Sequence, residues 1–434
     1  MRPEVTAQQR QTRSGWIDSL TQFLTVEAAG GVVLLVCATV ALVLANSLFR
    51  APYEAIWQTM VGWSAGSVTM QHSLRHWIND GLMAVFFLVV GLEIKRELAV
   101  GELRDRRAAL LPAALGGMVL PAAIYLGLQW GQDGAAGWGI PMATDIAFVV
   151  GCLAVLGPRV PHGLRVFLLS LAIIDDIGAI LVVAFGYSTG IDARFVALGL
   201  AGLVAVAILV RIGVTTIVPF VVAGALTWLA FHESGVHATI AGVLLGLLAP
   251  ARAAPGEHHA SHALDRLGER LGGSHDDVDE AEDVTAPAAT AAHGVESPLE
   301  RLESALHPFV SFVVMPIFAL ANAGVALELE GIGHPVALAV IAGLVVGKPV
   351  GVSLFAWLAV RLRWTRLPTG VSWPLLVGAG CLAGIGFTMA LFISSLALDG
   401  TLLDAAKIGV LAGSLVAGVA GFLLIWLRLP ETQP

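Results

Sequence analysis

Charged residues are scarce in this sequence. Only 13% of its residues are Asp, Glu, Lys or Arg, and 57% are hydrophobic. Soluble domains carry about 25% charged residues. The mean hydropathy of +0.82 therefore excludes an ordinary soluble protein. It indicates a chain that crosses a lipid bilayer many times. The expected partner is therefore lipid, and no nucleic acid is expected to bind.

Cysteine and nucleotide-binding motifs are also nearly absent. The three cysteines, Cys37, Cys152 and Cys381, all lie in apolar stretches, so neither a disulfide framework nor a cysteine metal site is expected. The sequence has no GxxxxGK[ST] run, so nothing points to a bound nucleotide, and we expect no cofactor. Residues 1 to 26 are polar and lack the pattern of a cleavable signal.

Long apolar runs, by contrast, fill the chain. A membrane-spanning helix needs about 20 mostly apolar residues, and twelve stretches approach that length. The sequence therefore predicts an all-α polytopic membrane protein. The expected spans are residues 28–48, 78–94, 109–130, 139–156, 164–187, 195–211, 215–231, 235–250, 306–327, 335–358, 374–397 and 405–427.

The polar connections between these spans differ in character. The connection 50–77 contains TMVGWSAGSVTM, whose alternation predicts a short hairpin. Its edge, near 60–71, could join two copies of the chain. The connection 251–303 is too poor in apolar residues to form a core, so we expect disorder. Histidines in this loop could bind a metal, although a solvated loop is the simpler interpretation; they are His258, His259, His262 and His275.

These features predict a division of the chain into five segments. They are an N-terminal segment (1–27), spans 1 to 8 (28–250), the disordered loop (251–303), spans 9 to 12 (304–428) and a C-terminal tail (429–434).

Positive charges are distributed unevenly between the two sides of the predicted spans. Most of the 24 Lys and Arg residues lie on the side of the two termini. The other side holds only Arg50, Arg75, Arg194 and Lys407. Positive charge concentrates on the cytoplasmic side of membrane proteins. We therefore expect both termini in the cytoplasm, and a plasma (inner) membrane location in a bacterial cell.

Three carboxylates lie inside otherwise apolar stretches. Asp145 opens TDIAFVVGCLAVL, and Asp175 and Asp176 lie deep in VFLLSLAIIDDIGAILVVAF. Ionisable residues inside a membrane are costly and commonly mark an ion or proton path. The alternative is a cap or a buried hydrogen-bonding group. That alternative is stronger for Asp145, which follows Pro141 and could cap half a helix.

Two spans contain matching interruptions. The fourth has Gly139 and Pro141 just before Asp145, and the eleventh contains VGAGCLAGIGFTM with four glycines. Matching interruptions in two halves of a transporter indicate an inverted repeat whose site lies where the unwound backbones meet. Spans 3–5 and 10–12 would form that repeat.

Lys348, in GLVVGKPVG, is a single cation within a span. It is expected to pair with Asp175 or Asp176. The alternative is that its long side chain reaches the membrane surface.

Seven stretches together resemble the bacterial NhaA family of sodium/proton antiporters. The resemblance runs from about Ala28 to Arg428 and leaves out residues 251–298. The rule that links matching interruptions to an inverted repeat is itself based partly on this family. The resemblance and the interruptions are therefore not two independent arguments for a repeat. The stretches are WINDGLMAVFFLVVGLEIKREL (77–98), ATDIAF (143–148), LAIIDDIGAI (171–180), SGVHATIAG (234–242), FALANAGV (318–325), GKPVGVSLF (347–355) and GIGFTMALFISSLA (384–397).

The resemblance implies roles for individual residues. Asp176 would be the main sodium or lithium ligand, with Asp175 beside it. Thr144 and Asp145 would lie at the crossing of the broken helices, where Asp145 would offset the positive helix ends. Lys348 would offset the negative helix ends and could pair with Asp175. Residues linked in the family to pH response match Glu93, Glu97, His237, Glu303 and His307, and Asp80 matches an acid of the second span.

The expected activity is electrogenic, pH-dependent exchange of sodium or lithium for protons, by alternating access and without enzyme chemistry. Cation and proton would compete for the same oxygens. Two alternatives stay open. An intramembrane aspartyl protease needs two acids on different helices, whereas adjacent Asp175 and Asp176 point about 100° apart on one helix. A passive cation channel would favour a symmetric filter.

Overall fold

The computed structural model describes residues 28–65, 68–99, 103–188, 190–214, 216–250, 298–327 and 329–429. Residues 1–27 and 251–297 lie outside the described residues, and so does the disorder predicted for the long loop. A helix covers Pro298–Phe309. The last residues of the segment predicted as loop, 298–303, are therefore helical, and the expected boundary at residue 303 is wrong.

Helices dominate the described chain. Those before the long loop are α1 (Ala28–Ala45), α2 (Arg50–Gln58), α3 (Leu74–Leu98), α4 (Leu103–Leu128), α5 (Ile146–Leu156), α6 (His162–Gly186), α7 (Ala193–Arg211), α8 (Ile217–Glu233) and α9 (Thr239–Leu248). Those after it are α10 (Leu299–Asn322), α11 (Pro335–Arg361), α12 (Trp373–Ala383), α13 (Phe387–Ala397) and α14 (Gly400–Trp426). Shorter helical segments are Asp133–Met142, Gly157–Arg159 and Leu329–Ile332.

The apolar helices confirm a polytopic membrane protein. In the described ranges, 8 helices are long and apolar enough to cross a membrane, and two bent pairs bring the total to 10. The shorter apolar helices α8 and α9 lie where spans seven and eight were expected. All twelve predicted spans thus coincide with helical segments, while the count of twelve crossings stays a prediction.

The connection between α1 and α3 contains the predicted hairpin. Strands β1 (Met60–Ala65) and β2 (Val68–Ser73) pair antiparallel, with Met60 opposite Ser73 and Ala65 opposite Val68. The alternation of side chains seen in the sequence is the period of a strand. The Ser73 hydroxyl then caps α3 by accepting from the backbone N–H of His76 at 3.2 Å.

Both expected interruptions are present. The 3-10 helix Asp133–Met142 meets α5 at 40°, and α12 meets α13 at 46°. Each broken span lies between two long helices in the chain order: α4 and α6 for the first, α11 and α14 for the second. The first half of the first span is 3-10 rather than α-helical because its glycines and Pro141 are poor α-helix formers.

Glycine contacts bring α4 and α11 unusually close together. A Cβ on Gly116 would lie 2.2 Å from the carbonyl oxygen of Gly351, so no larger residue fits there. Small residues allow membrane helices this kind of backbone approach. One turn away from Gly351, Lys348 passes Gly117 and reaches α6. The packing of α4 against α11 thus positions a cation at Asp175.

Candidate ion-binding site

The two broken spans touch at their breaks. The backbone N–H of Asp145 donates to the carbonyl oxygen of Ile385 at 2.7 Å. At this contact the ends of four short helical segments meet, with unpaired N–H groups at two of them and unpaired carbonyls at the other two. The backbone here therefore supplies partial charges of both signs in the interior of the protein.

Asp145 compensates both positive helix ends. Its Oδ1 accepts from the N–H of Phe148 in α5 at 3.3 Å. Its Oδ2 accepts from the N–H of Thr388 in α13 at 3.0 Å and from the Thr388 hydroxyl at 2.5 Å. The capping role considered from the sequence is thus correct, and the same carboxylate also serves the second broken span.

The Ser414 hydroxyl on α14 adds a further cap to α13. It accepts from the backbone N–H groups of Gly386 and Phe387 at 3.2 and 3.1 Å. Neither Ser414 nor Thr388 stands out in the sequence as a site residue. Thr388 lies within the quoted stretch 384–397, so that stretch was the available signal.

Lys348 and Asp175 form the expected ion pair. Lys348 Nζ donates to Asp175 Oδ2, and neither side chain exposes any surface. Water is excluded from this pair, so removing one partner would leave a costly isolated charge. The surface-reaching alternative for Lys348 is therefore wrong.

Thr144 links this ion pair to the broken helices. Its hydroxyl accepts from Lys348 Nζ at 2.8 Å. It also lies 2.7 Å from Asp175 Oδ2 and 2.8 Å from the carbonyl oxygen of Ala383, the last residue of α12. Its single proton can be donated to either oxygen. Through Thr144 the charge of Lys348 thus reaches the negative end of a broken helix.

Asp176 differs sharply from its neighbour Asp175. It is 2% exposed, and in the described part of the chain its Oδ1 has no hydrogen-bond partner. It faces a cavity of about 50 Å³ that Thr144, Asp145 and Thr388 also line. A buried carboxylate oxygen without a donor carries a large desolvation cost. This oxygen is therefore ready to take a cation or a proton.

A second group of ionisable residues lines the same cavity farther along α3 and α10. Glu93 and His307 border it, with 3.7 Å between His307 Nδ1 and Glu93 Oε1. One turn away, Arg96 Nη1 lies 2.6 Å from Glu303 Oε1. The structure therefore brings three of the expected pH-response residues, Glu93, Glu303 and His307, close to one another.

The remaining expected residues lie apart or at the edge of this group. Glu97 follows Glu93 by one helical turn on α3 and is half-buried. His237 precedes α9, with Nδ1 3.0 Å from the Thr239 hydroxyl and its ring 5.7 Å from that of Phe392. Asp80 lies in a π-helical turn of α3 beside two histidines.

Comparison with known proteins assigns the family. The family model described as Na+/H+ antiporter 1 matches residues 21–425. A protein of Rhodopirellula baltica named Na(+)/H(+) antiporter NhaA is 52% identical over 96% of this chain and 95% of its own length. Antiporters of the same name from Acidiphilium cryptum (NhaA 1) and Rhizobium meliloti are 50% and 48% identical, over 96% and 94% of this chain and 95% and 94% of their own lengths.

The family is one of secondary transporters rather than enzymes, and it gives no support to a protease or a passive channel. The expected resemblance is confirmed over nearly the whole length, and this chain belongs to the NhaA family of Na+/H+ antiporters.

Proposed function

We propose that this antiporter exports sodium in exchange for protons, and that Asp176 is the main ligand for the cation. Its unpaired buried oxygen at the cavity is the observation that carries the proposal. Asp175, which is already occupied by Lys348, is the second ligand. Thr144 and the carbonyl oxygens freed at the breaks complete an all-oxygen site, the chemistry that hard cations prefer.

Competition between sodium and protons couples the two flows. When the cavity faces the cytoplasm, sodium displaces protons from Asp176 and draws Asp175 away from Lys348. When the site faces the other side, protons return and release sodium. Exposure of one site to each side in turn suffices for exchange, so no ATP and no cofactor are needed. Lithium has the same charge and the same preference for oxygen, and is proposed as a second substrate.

Glu93, Glu97, Glu303 and His307 are proposed to set the response to pH. They belong to an acid–base network beside the cavity, where Arg96 and His307 balance the acids Glu303 and Glu93. Protonation of this network changes the charge along the route to Asp176. His237 is proposed to respond separately, because it contacts α13 through Phe392 rather than this network. Asp80 is proposed to support the histidines beside it.

The chain is proposed to lie in the plasma (inner) membrane of a bacterium, with both termini in the cytoplasm. The arginines at one set of helix ends support this orientation, among them Arg96, Arg211 and Arg361. The segments 1–27, 251–297 and 429–434 would then be cytoplasmic.

Two copies are proposed to associate through the hairpin near 60–71. Within the described residues β2 pairs only with β1, which leaves the outer strand edges available to another chain. The mass of the detergent-solubilised protein, measured with and without residues 60–71, tests this dimer. A wild-type monomer would contradict it.

The role of Asp176 is tested by sodium-driven proton movement in proteoliposomes. Asp176→Asn keeps the shape of the side chain but removes the anion, so exchange should fall to background in protein that still inserts and folds. Asp399→Asn is the matched control. Asp399 is exposed at the start of α14 and makes no capping hydrogen bond, so this variant should exchange like the wild type. Substantial flux through the Asp176 variant would contradict the proposal.

A further inference from the structure

Three histidines from distant parts of the sequence meet at one end of the helical bundle. His72 belongs to β2, His76 to the first turn of α3, and His232 to the last turn of α8. One ring nitrogen of each lies within 4.8 Å of those of the other two. The ring centroids of His72 and His76 are 4.3 Å apart, and that of His232 is 5.3 Å from His72 and 5.5 Å from His76.

A carboxylate stands beside this histidine cluster. Asp80 Oδ2 lies 3.3 Å from His232 Nδ1 and 3.4 Å from His76 Nε2. The latter contact is not a hydrogen bond, and among the described residues His76 Nε2 has no hydrogen-bond partner. Carboxylates beside metal-binding histidines commonly fix the orientation of the ring and raise its basicity.

The cluster is partly shielded but reachable from water. The Trp228 ring stacks on His232 at 5.4 Å and 18°, and its Nε1 donates to the Asp80 carbonyl at 3.2 Å. The side chains of His232 and Asp80 are 10% and 14% exposed, whereas that of His76 is 40% exposed. An ion can therefore enter past His76 and bind next to the largely buried side chains of His232 and Asp80.

We propose that His72, His76 and His232 bind a divalent transition-metal ion, with zinc as the best fit. Imidazole nitrogen suits zinc, copper and nickel, whereas sodium and magnesium prefer oxygen. The proposed site is therefore chemically distinct from the oxygen site at Asp176. Three histidines and one water form a standard four-coordinate zinc environment.

The spacing of the ring nitrogens is compatible with such an ion. Tetrahedral zinc binds nitrogen at about 2.0–2.1 Å, so two ligand nitrogens lie about 3.3 Å apart. The ring nitrogens are separated by up to 4.8 Å. Side-chain rotations that bring them closer together by roughly 1.5 Å would give the spacing that zinc requires. The bound ion would fasten the hairpin, α3 and α8 together at this end of the molecule.

The test uses the full chain in detergent, purified through a tag that contains no histidine. All loop histidines, which could bind metal themselves, are first replaced by alanine in a background variant; they are His258, His259, His262, His275 and His293. Cobalt(II) is then titrated in, because its visible absorption distinguishes tetrahedral nitrogen coordination from six-coordinate water. We expect one equivalent to give the tetrahedral spectrum and one equivalent of zinc to remove it.

Single variants assign the ligands. His72→Ala, His76→Ala and His232→Ala should each weaken cobalt binding at least tenfold, and Asp80→Asn should weaken it about 10-fold to 100-fold. His162→Ala, at an exposed position at the start of α6, is the control and should bind like the background protein. Because metal binds only the folded cluster, zinc at a fixed concentration should also raise the melting temperature of the background protein more than that of the three histidine variants.

The cobalt spectrum of the background protein decides the proposal even if a single variant fails to fold. Absence of a tetrahedral spectrum at stoichiometric cobalt overturns the proposal. Equal binding by the background protein and by folded histidine variants also overturns it.

Discussion

Lys348 on α11 and Asp175 on α6 form an ion pair that no solvent reaches. The Lys348 ammonium is thereby paired with Asp175, whereas the neighbouring Asp176 faces the cavity. Two adjacent acids on one helix thus have different surroundings. The close contact of Gly116 on α4 with Gly351 on α11 lets Lys348 pass Gly117 and reach Asp175.

Removing Lys348 should destabilise the protein strongly. Lys348→Met would leave the Asp175 carboxylate buried and unpaired, which typically costs roughly 3–5 kcal/mol. The melting temperature of the detergent-solubilised variant, measured without sodium, should therefore fall well below that of the wild type. The double variant Lys348→Met/Asp175→Asn should regain much of the loss, because no isolated charge is then buried.

Lys95→Met is the control for that experiment, since Lys95 is only half-buried. It should melt within a few degrees of the wild type. A double variant as unstable as Lys348→Met would show that the lost charge pair is not the cause of the destabilisation.

Much of the site could be predicted from the sequence because charges in apolar runs are rare. Asp175, Asp176 and Lys348 stand out on that ground alone, and the alternation around residues 60–71 was sufficient to predict the hairpin. Thr388 and Ser414 could not be found in this way, since hydroxyl residues are common in membrane helices. Their role depends on where two distant segments cross.

Other features were invisible for related reasons. The π-helical turns Ile78–Leu82, Val310–Val314 and Gly343–Gly347 have no composition that distinguishes them from α-helix. His72 and His76 are far from His232 in the sequence, so only the packing of α3 near α8 brings them together. Gly378 and Gly380 belong to the interrupted stretch, yet they lie within α12, where they contact Ile425 and Pro349. The break itself is confined to residues 384–386.

The apparent affinity for sodium should improve as the pH rises. In the proposed mechanism protons and sodium compete for the carboxylates of Asp175 and Asp176, so protons must leave before sodium binds. The half-saturating sodium concentration should fall by up to about tenfold per pH unit for each competing proton. It should level off once the site is deprotonated. Initial rates of exchange across a pH series measure this, and a half-saturating concentration independent of pH would refute competition.

The loop 257–297 should be dispensable for transport. Its composition offers too little apolar surface to pack against the membrane helices. Replacing it with a short Gly/Ser linker should leave the maximal exchange rate within a few-fold of wild type. Folded protein that no longer exchanges would show that the loop takes part in the transport cycle.

Exchange should be electrogenic, because the site combines two acids with one base. Sodium binding requires ionised Asp175 and Asp176 and frees Lys348 from its pair. With sodium bound, Lys348 either keeps its charge or loses its proton. The return step then adds one proton to Asp176 and a second to Asp175, if Lys348 kept its charge, or to Lys348, if it had become neutral. These groups titrate as a coupled set, so more than one proton returns per sodium. Each net charge moved couples to the membrane potential by roughly 2.3 kcal/mol per 100 mV.

The most direct test of this account is potential-driven sodium movement in proteoliposomes with equal pH and equal sodium on both sides. A potassium gradient with valinomycin supplies the potential. The wild type should move sodium uphill when the potential is applied, and Asp176→Asn should move none. If wild-type protein active in a pH-gradient assay moves no sodium under a verified potential, exchange is one-for-one. The account of Asp175, Asp176 and Lys348 as one coupled site is then contradicted.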